Sequence, residues 1–510
     1  MKKHGKMRKR LVAFALGTML LAGAGTSAAF AGPAAGNIDT THKGKIIIHK
    51  YQNPDDGNAA DGTKKTPTTE PVQGVTFTVA KVNDIDLTQN AGWDKAKDLE
   101  IDTDGRVKSK DGSKTYDTTA ISPALGATGA DGKAETGELD LGVYLVTETS
   151  SPADVTKKSD PFLVTVPFPN ADQGWLYEVN VYPKNTVINK KDKPVKTVEN
   201  AAAVHFPGDT ITWKIEQPIP TLGTNDHFTT FKIVDQLPAG VDAVTPDNVE
   251  VKVLHGKPGT EVTGLNPSVN VSAGNAVTVA FENTDLTKLI PGDQVVVKIT
   301  AVVSANISNS LQNKSDTHIA IDGAPEKIIP SGPGTDQPDT PTETKFVSLT
   351  INKVNKEDKA LNDAVFKVYP VATGTVGSKC AAKAVGDKEV ALTTGEKPAF
   401  EGGTQADGAA VLKLVPGKYC VKETTAPVGY DIDPDWATGK VVEVPASDKG
   451  LTEKITNVKM NDGAGSLLPS LPLTGAAGFI LLTFAGVAIV ATAVGTGFVA
   501  VGRKKREQEA

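Results

Sequence analysis

Along most of the chain, apolar residues alternate with polar ones over short runs separated by Gly, Pro, Asp and Asn. Between 187 and about 329 the runs DTITWKIEQPI, TTFKIVDQLP, NVEVKVL, AVTVAFE and QVVVKITAVV have period two, with turn residues about every ten positions, the pattern of half-buried strands in an antiparallel sandwich. The flanking regions carry a different pattern, and it occurs twice. KIIIHKY (45–51) and VSLTINKV (347–354) are opening strands with a lysine near the end, and each is followed by a second apolar run, GVTFTVAKV (74–82) or AVFKVYPV (364–371). Each then reaches an Asp-Gly turn, Asp131-Gly132 or Asp407-Gly408, and a strand ending in Glu-Thr, GVYLVTETSSP or GKYCVKETTAP. A repeated order of elements predicts a repeated fold. The expected architecture is all-β, three tandem sandwich domains at 32–185, 186–329 and 345–460. The segment 330–344, PSGPGTDQPDTPTET, lacks apolar periodicity and is expected to be an exposed linker.

Composition agrees with small, turn-rich units. The 510 residues exceed one ordinary core at about 150 residues per domain, and only 5% are aromatic, against 49 glycines and 32 prolines. The net charge of -6 is spread without a sustained basic face, which argues against a nucleic-acid partner. The ends are distinctive. Lys2, Lys3, Lys6, Arg8, Lys9 and Arg10 precede an uncharged stretch and Ala29-Phe30-Ala31, a secretory signal peptide expected to be cut after Ala31. Residues 476–501 carry no charge and lead into Arg503, Lys504, Lys505 and Arg506 of the tail 502–510, long enough to span a bilayer with the basic end cytoplasmic. Immediately upstream, after a spacer from 461, stand Leu471, Pro472, Leu473, Thr474 and Gly475.

That pentapeptide, apolar span and basic tail together resemble the LPxTG cell-wall sorting signal. The flanking repeats resemble CnaB-type immunoglobulin-like modules, and the middle region resembles the related CnaA-type sandwich. With the sorting signal, the resemblance covers nearly the whole chain and points to the SpaA-type backbone pilins of Gram-positive actinobacteria. It implies that a sortase cysteine attacks the Thr474 carbonyl, releases Gly475 onward and passes Thr474 to an amine. The run WLYEVNVYPKN (175–185) is similar to the pilin motif, so Lys184, preceded by Tyr182 and Pro183, is the expected acceptor. Pro183 fixes the backbone before it, and the chemistry asks for an exposed amine. Repeated Thr474-to-Lys184 transfers build a head-to-tail chain, because a heterologous contact that does not close makes a filament.

The family also carries lysine, asparagine and acid triads that form intramolecular isopeptide bonds. Burial lowers a lysine pKa and keeps a neighbouring carboxyl neutral, so the amine can attack the asparagine amide and ammonia leaves. The resemblance places Lys353, Asn457 and Glu423 in these roles in the third domain, and Lys50, Asn185 and Glu148 in the first. In the middle domain it places Lys190, Asn313 and Asp235, with Lys191 competing because a one-residue slip swaps faces. Cys380 and Cys420, in a secreted chain, are expected to form a disulfide.

No G-x-S-x-G, S-x-x-K, H-E-x-x-H or P-loop string is present, so the expected role is structural rather than enzymatic, with no cofactor and no metal. Acidic loop residues such as Asp55 and Asp56 are read as solvated. Expected partners are a pilin-specific sortase, a housekeeping sortase, further copies of the chain, minor tip and base pilins, and peptidoglycan, with a host-cell surface as a candidate. The rival reading is a monomeric wall-anchored adhesin, which would not need Lys184.

Overall fold

A computed structural model describes residues 37–460, apart from 54–59, 189, 224, 257–258, 335–337, 372–374, 384–387 and 396–405. The expected signal peptide 1–31, Asp55 and Asp56, the sorting motif 471–475 with Thr474, the apolar span 476–501 and the basic tail all lie outside the described residues. Among the described residues no helix is long and apolar enough to cross a membrane. The chain divides into two units, one running to Val347 and including Lys413–Pro416, the other formed by Ser348–Leu412 and the chain from Gly417.

In the first unit the N-terminal domain opens with the strand Lys45–His49, which pairs in parallel with Glu178–Val181 and antiparallel with Lys133–Glu135. Tyr51–Gln52 continues it and pairs in parallel with Lys184–Val187, so the first and last strands of the domain are neighbours. The facing sheet has the order Phe162–Val166, Gly142–Ser150, Thr76–Val82, Thr118–Ala120. The run GVYLV in Gly142–Ser150 is apolar on both faces. Tyr144 and Val146 enter the sandwich core with Ile46, Ile48 and Phe77, while Val143 and Leu145 face a second core with Ile85, Leu87, Leu99 and Val107. That second core is supplied by an insertion, the helix Asn90–Lys97 and a three-stranded sheet of Leu99–Ile101, Val107–Ser109 and Thr115–Tyr116. A strand covered on both sides needs no polar alternation.

The middle domain is two five-stranded sheets. One has the order Val195–Val198, Thr210–Pro218, Gln294–Val302, Val249–His255, Thr260–Glu261; the other, Ser268–Ser272, Ala276–Phe281, Phe228–Gln236, Ser315–Ile321, Lys327–Pro330. Period two holds here: Ile211, Trp213, Ile215 and Gln217 of one strand point inward and their neighbours outward. The segment expected to be an exposed linker is tied down at both ends, while 338–340 are exposed as expected. Gly332 bridges Val195, Ser331 is buried, and Thr342–Lys345 pairs antiparallel with Ser310–Asn313.

In the second unit Val347–Val354 pairs in parallel with Leu451–Thr456 and lies beside Ala409–Leu414. The facing sheet is Val390–Thr393, Val365–Pro370, Gly417–Thr425, Lys440–Val444. The two Asp-Gly turns do the same work in both repeats. Gly132 and Gly408 each sit at φ +72°, and a Cβ there would lie 2.3 Å from the Lys50 carbonyl oxygen or 2.6 Å from that of Lys353. Their own carbonyls accept the Lys50 and Lys353 amide N–H groups, at 2.8 and 2.7 Å. Only glycine permits that approach, and it fixes the backbone of the lysine.

Candidate functional site

Each domain buries one lysine against one acid, the two drawn from opposite sheets. Lys50 follows the strand Lys45–His49, and Glu148 comes from Gly142–Ser150; their side chains are 0% exposed and the Nζ to Oε2 distance is 2.8 Å. Lys353, on Val347–Val354, and Glu423, on Gly417–Thr425, are likewise 0% exposed and 3.7 Å apart. Alternation puts both lysines inside: Ile351 and Lys353 share the inward face of their strand. In the middle domain the lysine that meets Asp235 is Lys196, and both side chains are 1% exposed. The expectation of Lys190 is therefore corrected. Lys190 falls in the short 3-10 turn Lys190–Asp192, and Lys191 is exposed, whereas Lys196 lies on the strand Val195–Val198 and points inward across the sandwich.

The asparagines sit at the other end of each arrangement. Asn185 Nδ2 donates to Glu148 Oε1 at 2.8 Å, and Asn457 Nδ2 donates to Glu423 Oε1 at 2.6 Å. Parallel pairing of Lys353 with Ile455 brings the lysine next to Asn457, and Lys353 Nζ donates to the Ile455 carbonyl at 3.2 Å. Asn457 Oδ1 is buried without a hydrogen-bond partner, a cost of about 1–3 kcal/mol in an unreacted domain. Asn313, 1% exposed, ends the strand Ser310–Asn313, beside the strand Ser315–Ile321 that pairs with Asp235.

Burial pushes all three lysines, Lys50, Lys196 and Lys353, down to about 8 from an ordinary value of 10.5. The acids differ. Burial raises Asp235 and Glu423 above their ordinary values despite the attraction of Lys196 and Lys353. Burial also acts on Glu148, but Lys50, the Ser151 hydroxyl and Asn185 outweigh it and hold that carboxyl below its ordinary value. The Ser159 hydroxyl and amide N–H also donate to Glu148 Oε2, at 2.8 and 3.1 Å. In the first domain one carboxyl contacts both the amine and the amide nitrogen, and in the third it bonds the amide nitrogen and lies 3.7 Å from the amine, so it can carry a proton from one to the other.

Lys184 begins the strand Lys184–Val187 and is half-buried rather than fully exposed. Its Nζ donates to Thr69 Oγ1 at 3.3 Å and lies 5.5 Å from the Tyr51 ring centroid. Tyr182 stacks on His49 at 4.7 Å, and its hydroxyl accepts from the Lys65 amide N–H. Cys380 and Cys420 form a disulfide, with Cα atoms 5.5 Å apart. Gly439, at φ +89°, packs where a Cβ would fall 2.6 Å from Cys380 Sγ.

Three family models match the chain: the Gram-positive pilin subunit D1 N-terminal domain over 41–186, a prealbumin-like fold domain over 347–459, and the LPXTG cell wall anchor motif over 468–509. Fimbrial subunit type 2 of Actinomyces naeslundii is 32% identical over 92% of this chain and 92% of its own length. Fimbrial subunit type 1 of Actinomyces viscosus is 29% identical over 99% of each. Among solved structures, the full-length major pilin SpaD of Corynebacterium diphtheriae aligns with a TM-score of 0.61 and 25% identity, covering 83% of this chain and 98% of that one. With its pilin N-terminal domain, its cell-wall anchor and a relative of this identity along almost its full length, the chain belongs to the Gram-positive fimbrial subunits.

Proposed function

We propose that this chain is the shaft subunit of a sortase-assembled pilus, joined to its neighbours by an amide between the Thr474 carbonyl carbon and Lys184 Nζ. Each of its domains is closed by an internal amide: Lys50 to Asn185, Lys196 to Asn313, and Lys353 to Asn457. The observation that carries this reading is that every domain buries a lysine against an acid and also buries an asparagine, the three meeting in the outer domains where the opening and closing strands pair. Ordinary packing seldom leaves a lysine fully buried, and such a pair gives little net stability for its desolvation cost.

In the internal reaction the neutral lysine Nζ attacks the asparagine Cγ. A C–N bond forms, the bond to Nδ2 breaks, and Nδ2 leaves as ammonia with the proton that the amine gave to the carboxyl. Glu148, Asp235 and Glu423 are the proton carriers. The fold fixes the lysine by its strand and, in the outer domains, by the Asp-Gly turn, so little orientation is left to chance. In the intermolecular step a sortase thioester of Thr474 is the acyl donor and Lys184 the nucleophile, with the sortase thiol as leaving group. Sortases, other copies of the chain and peptidoglycan are the partners this requires; minor pilins would occupy tip and base.

Denaturing gels and intact mass test the two halves separately. Fibres from cells carrying the chain should run as a ladder that collapses to monomer in Lys184→Ala. The secreted chain should be lighter than its sequence by one ammonia per domain, and Lys196→Ala should restore one ammonia where Lys190→Ala restores none. A ladder that survives Lys184→Ala would favour another acceptor, and a ladder absent from the wild type would favour the monomeric adhesin.

A further inference from the structure

The strand that carries Lys184 is tied to the middle domain as well as to its own. Lys157, opposite Thr186 in the antiparallel pair of Val155–Lys157 with Lys184–Val187, forms ion pairs with Asp226 and, at 2.5 Å, with Asp322 Oδ2. Asp226 Oδ2 accepts from Thr186 Oγ1 and from the Gly223 amide N–H, both at 3.1 Å, and Asp322 Oδ1 accepts from the His227 amide N–H at 3.1 Å. The cluster is largely shielded, with Lys157 18%, Asp226 11% and Asp322 31% exposed. Asp226 lies just before the strand Phe228–Gln236 and Asp322 just after Ser315–Ile321, and those strands pair at Phe228 and Ile321. Lys157 therefore caps the end of the central strand pair of one middle-domain sheet. Burial alone would lower its pKa, but the two aspartates raise it, so the ammonium stays charged there.

The middle-domain lysine that meets Asp235 is Lys196, and its position sets what this cluster must bear. If tension enters at Lys184, a Lys196–Asn313 bond protects the chain only between Lys196 and Asn313, and the strands Ser315–Ile321 and Lys327–Pro330 follow it. Residues 187–195 then form a connection with no covalent bypass, able to stretch to about 30 Å at the usual rise of an extended chain. We propose that Lys157, Thr186, Asp226 and Asp322 form a non-covalent latch that passes tension from the Lys184 strand into the middle-domain sheet, so that residues 187–195 do not stretch. This rests on the reading that Lys184 takes the load and Lys196 makes the internal bond. A charge pair held by two aspartates and a hydroxyl resists separation better than a single exposed pair, because each group is desolvated and multiply bonded.

Single-molecule pulling on the mature chain, with one handle on Lys184→Cys and the other at the C-terminal end, reads the latch. The chain otherwise wild type should show no extension before domain rupture. Adding Asp226→Asn or Lys157→Met should introduce an extension of no more than about 30 Å at lower force, and the swapped pair Lys157→Glu with Asp226→Lys should move the trace back towards the starting one. Traces of both single variants that coincide with the starting trace would overturn the latch. Failure of the underlying reading looks different: without the Lys196 bond, intact mass shows the ammonia retained and every trace, including the starting one, contains the much longer extension of an unfolding middle domain.

Discussion

Lys353 illustrates what a single buried amine does to the energetics of its domain. Its pKa falls to about 8 because burial penalises the ammonium. In an Asn457→Ala chain the bond cannot close, and the amine remains to titrate. Below pH 8 it is protonated in folded and unfolded chains alike, and the full cost of burying the charge is present. Between about 8 and 10.5 the unfolded chain holds a proton that the folded chain has released, so stability rises with pH across that window. Thermal melting of Asn457→Ala should therefore rise from pH 7 to pH 10 relative to Lys353→Met with Asn457→Ala, and parallel curves for the two chains would contradict the burial argument.

At the level of elements, the Asp-Gly turn and the opening strand behave as one device. Gly408→Ala combines a left-handed φ of +72° with a Cβ only 2.6 Å from the Lys353 carbonyl oxygen and 2.9 Å from Ala360 Cβ, so it should cost more than about 1 kcal/mol and slow closure of the third-domain bond. Gly429→Ala has a φ of +86° but no atom within 4 Å of its Cβ, so it should be milder; equal losses in melting temperature would mean that the close approach carries no weight. These elements were legible in the sequence because alternation and a repeated turn leave marks on side chains. The strands of the flanking repeats and the positions of Lys50, Lys353, Glu148 and Glu423 follow from those marks, whereas their roles came from the family resemblance and the cysteine pair from the secretory signal. Lys196 was not found, because Val195–Val198 is short and the conspicuous KKDK cluster stands nearer the expected boundary; the signal was the run VKTV after Pro194, ahead of the strong strand TITWKIE. The role of Thr342–Lys345 was hidden for another reason, since its Pro- and Thr-rich neighbourhood carries no apolar period. The insertion between Ile85 and Tyr116 left one trace, the unbroken apolar run GVYLV.

At the level of the whole molecule, the order of the linkages along the chain sorts the domains by duty. On the proposed linkages, load entering at Lys184 and leaving at Thr474 would pass through the middle and third domains, where Lys196–Asn313 would bypass the strands between those two residues but not Ser315–Ile321 and Lys327–Pro330, and Lys353–Asn457 would bypass the third domain. The first domain would stand outside that path, so a Lys50–Asn185 bond would serve the integrity of the domain that presents Lys184. Pulling between Lys184 and the C-terminal end of a Lys50→Ala chain should give the wild-type trace, while protease resistance of the first domain falls; a new extension event would refute this division. The most direct measurement of the central claim is mass spectrometry of digested, purified fibres. The account predicts a branched peptide in which the Thr474 carbonyl is bonded to Lys184 Nζ, and fibres that yield Lys184 only as a free amine, with no branched peptide, would contradict it.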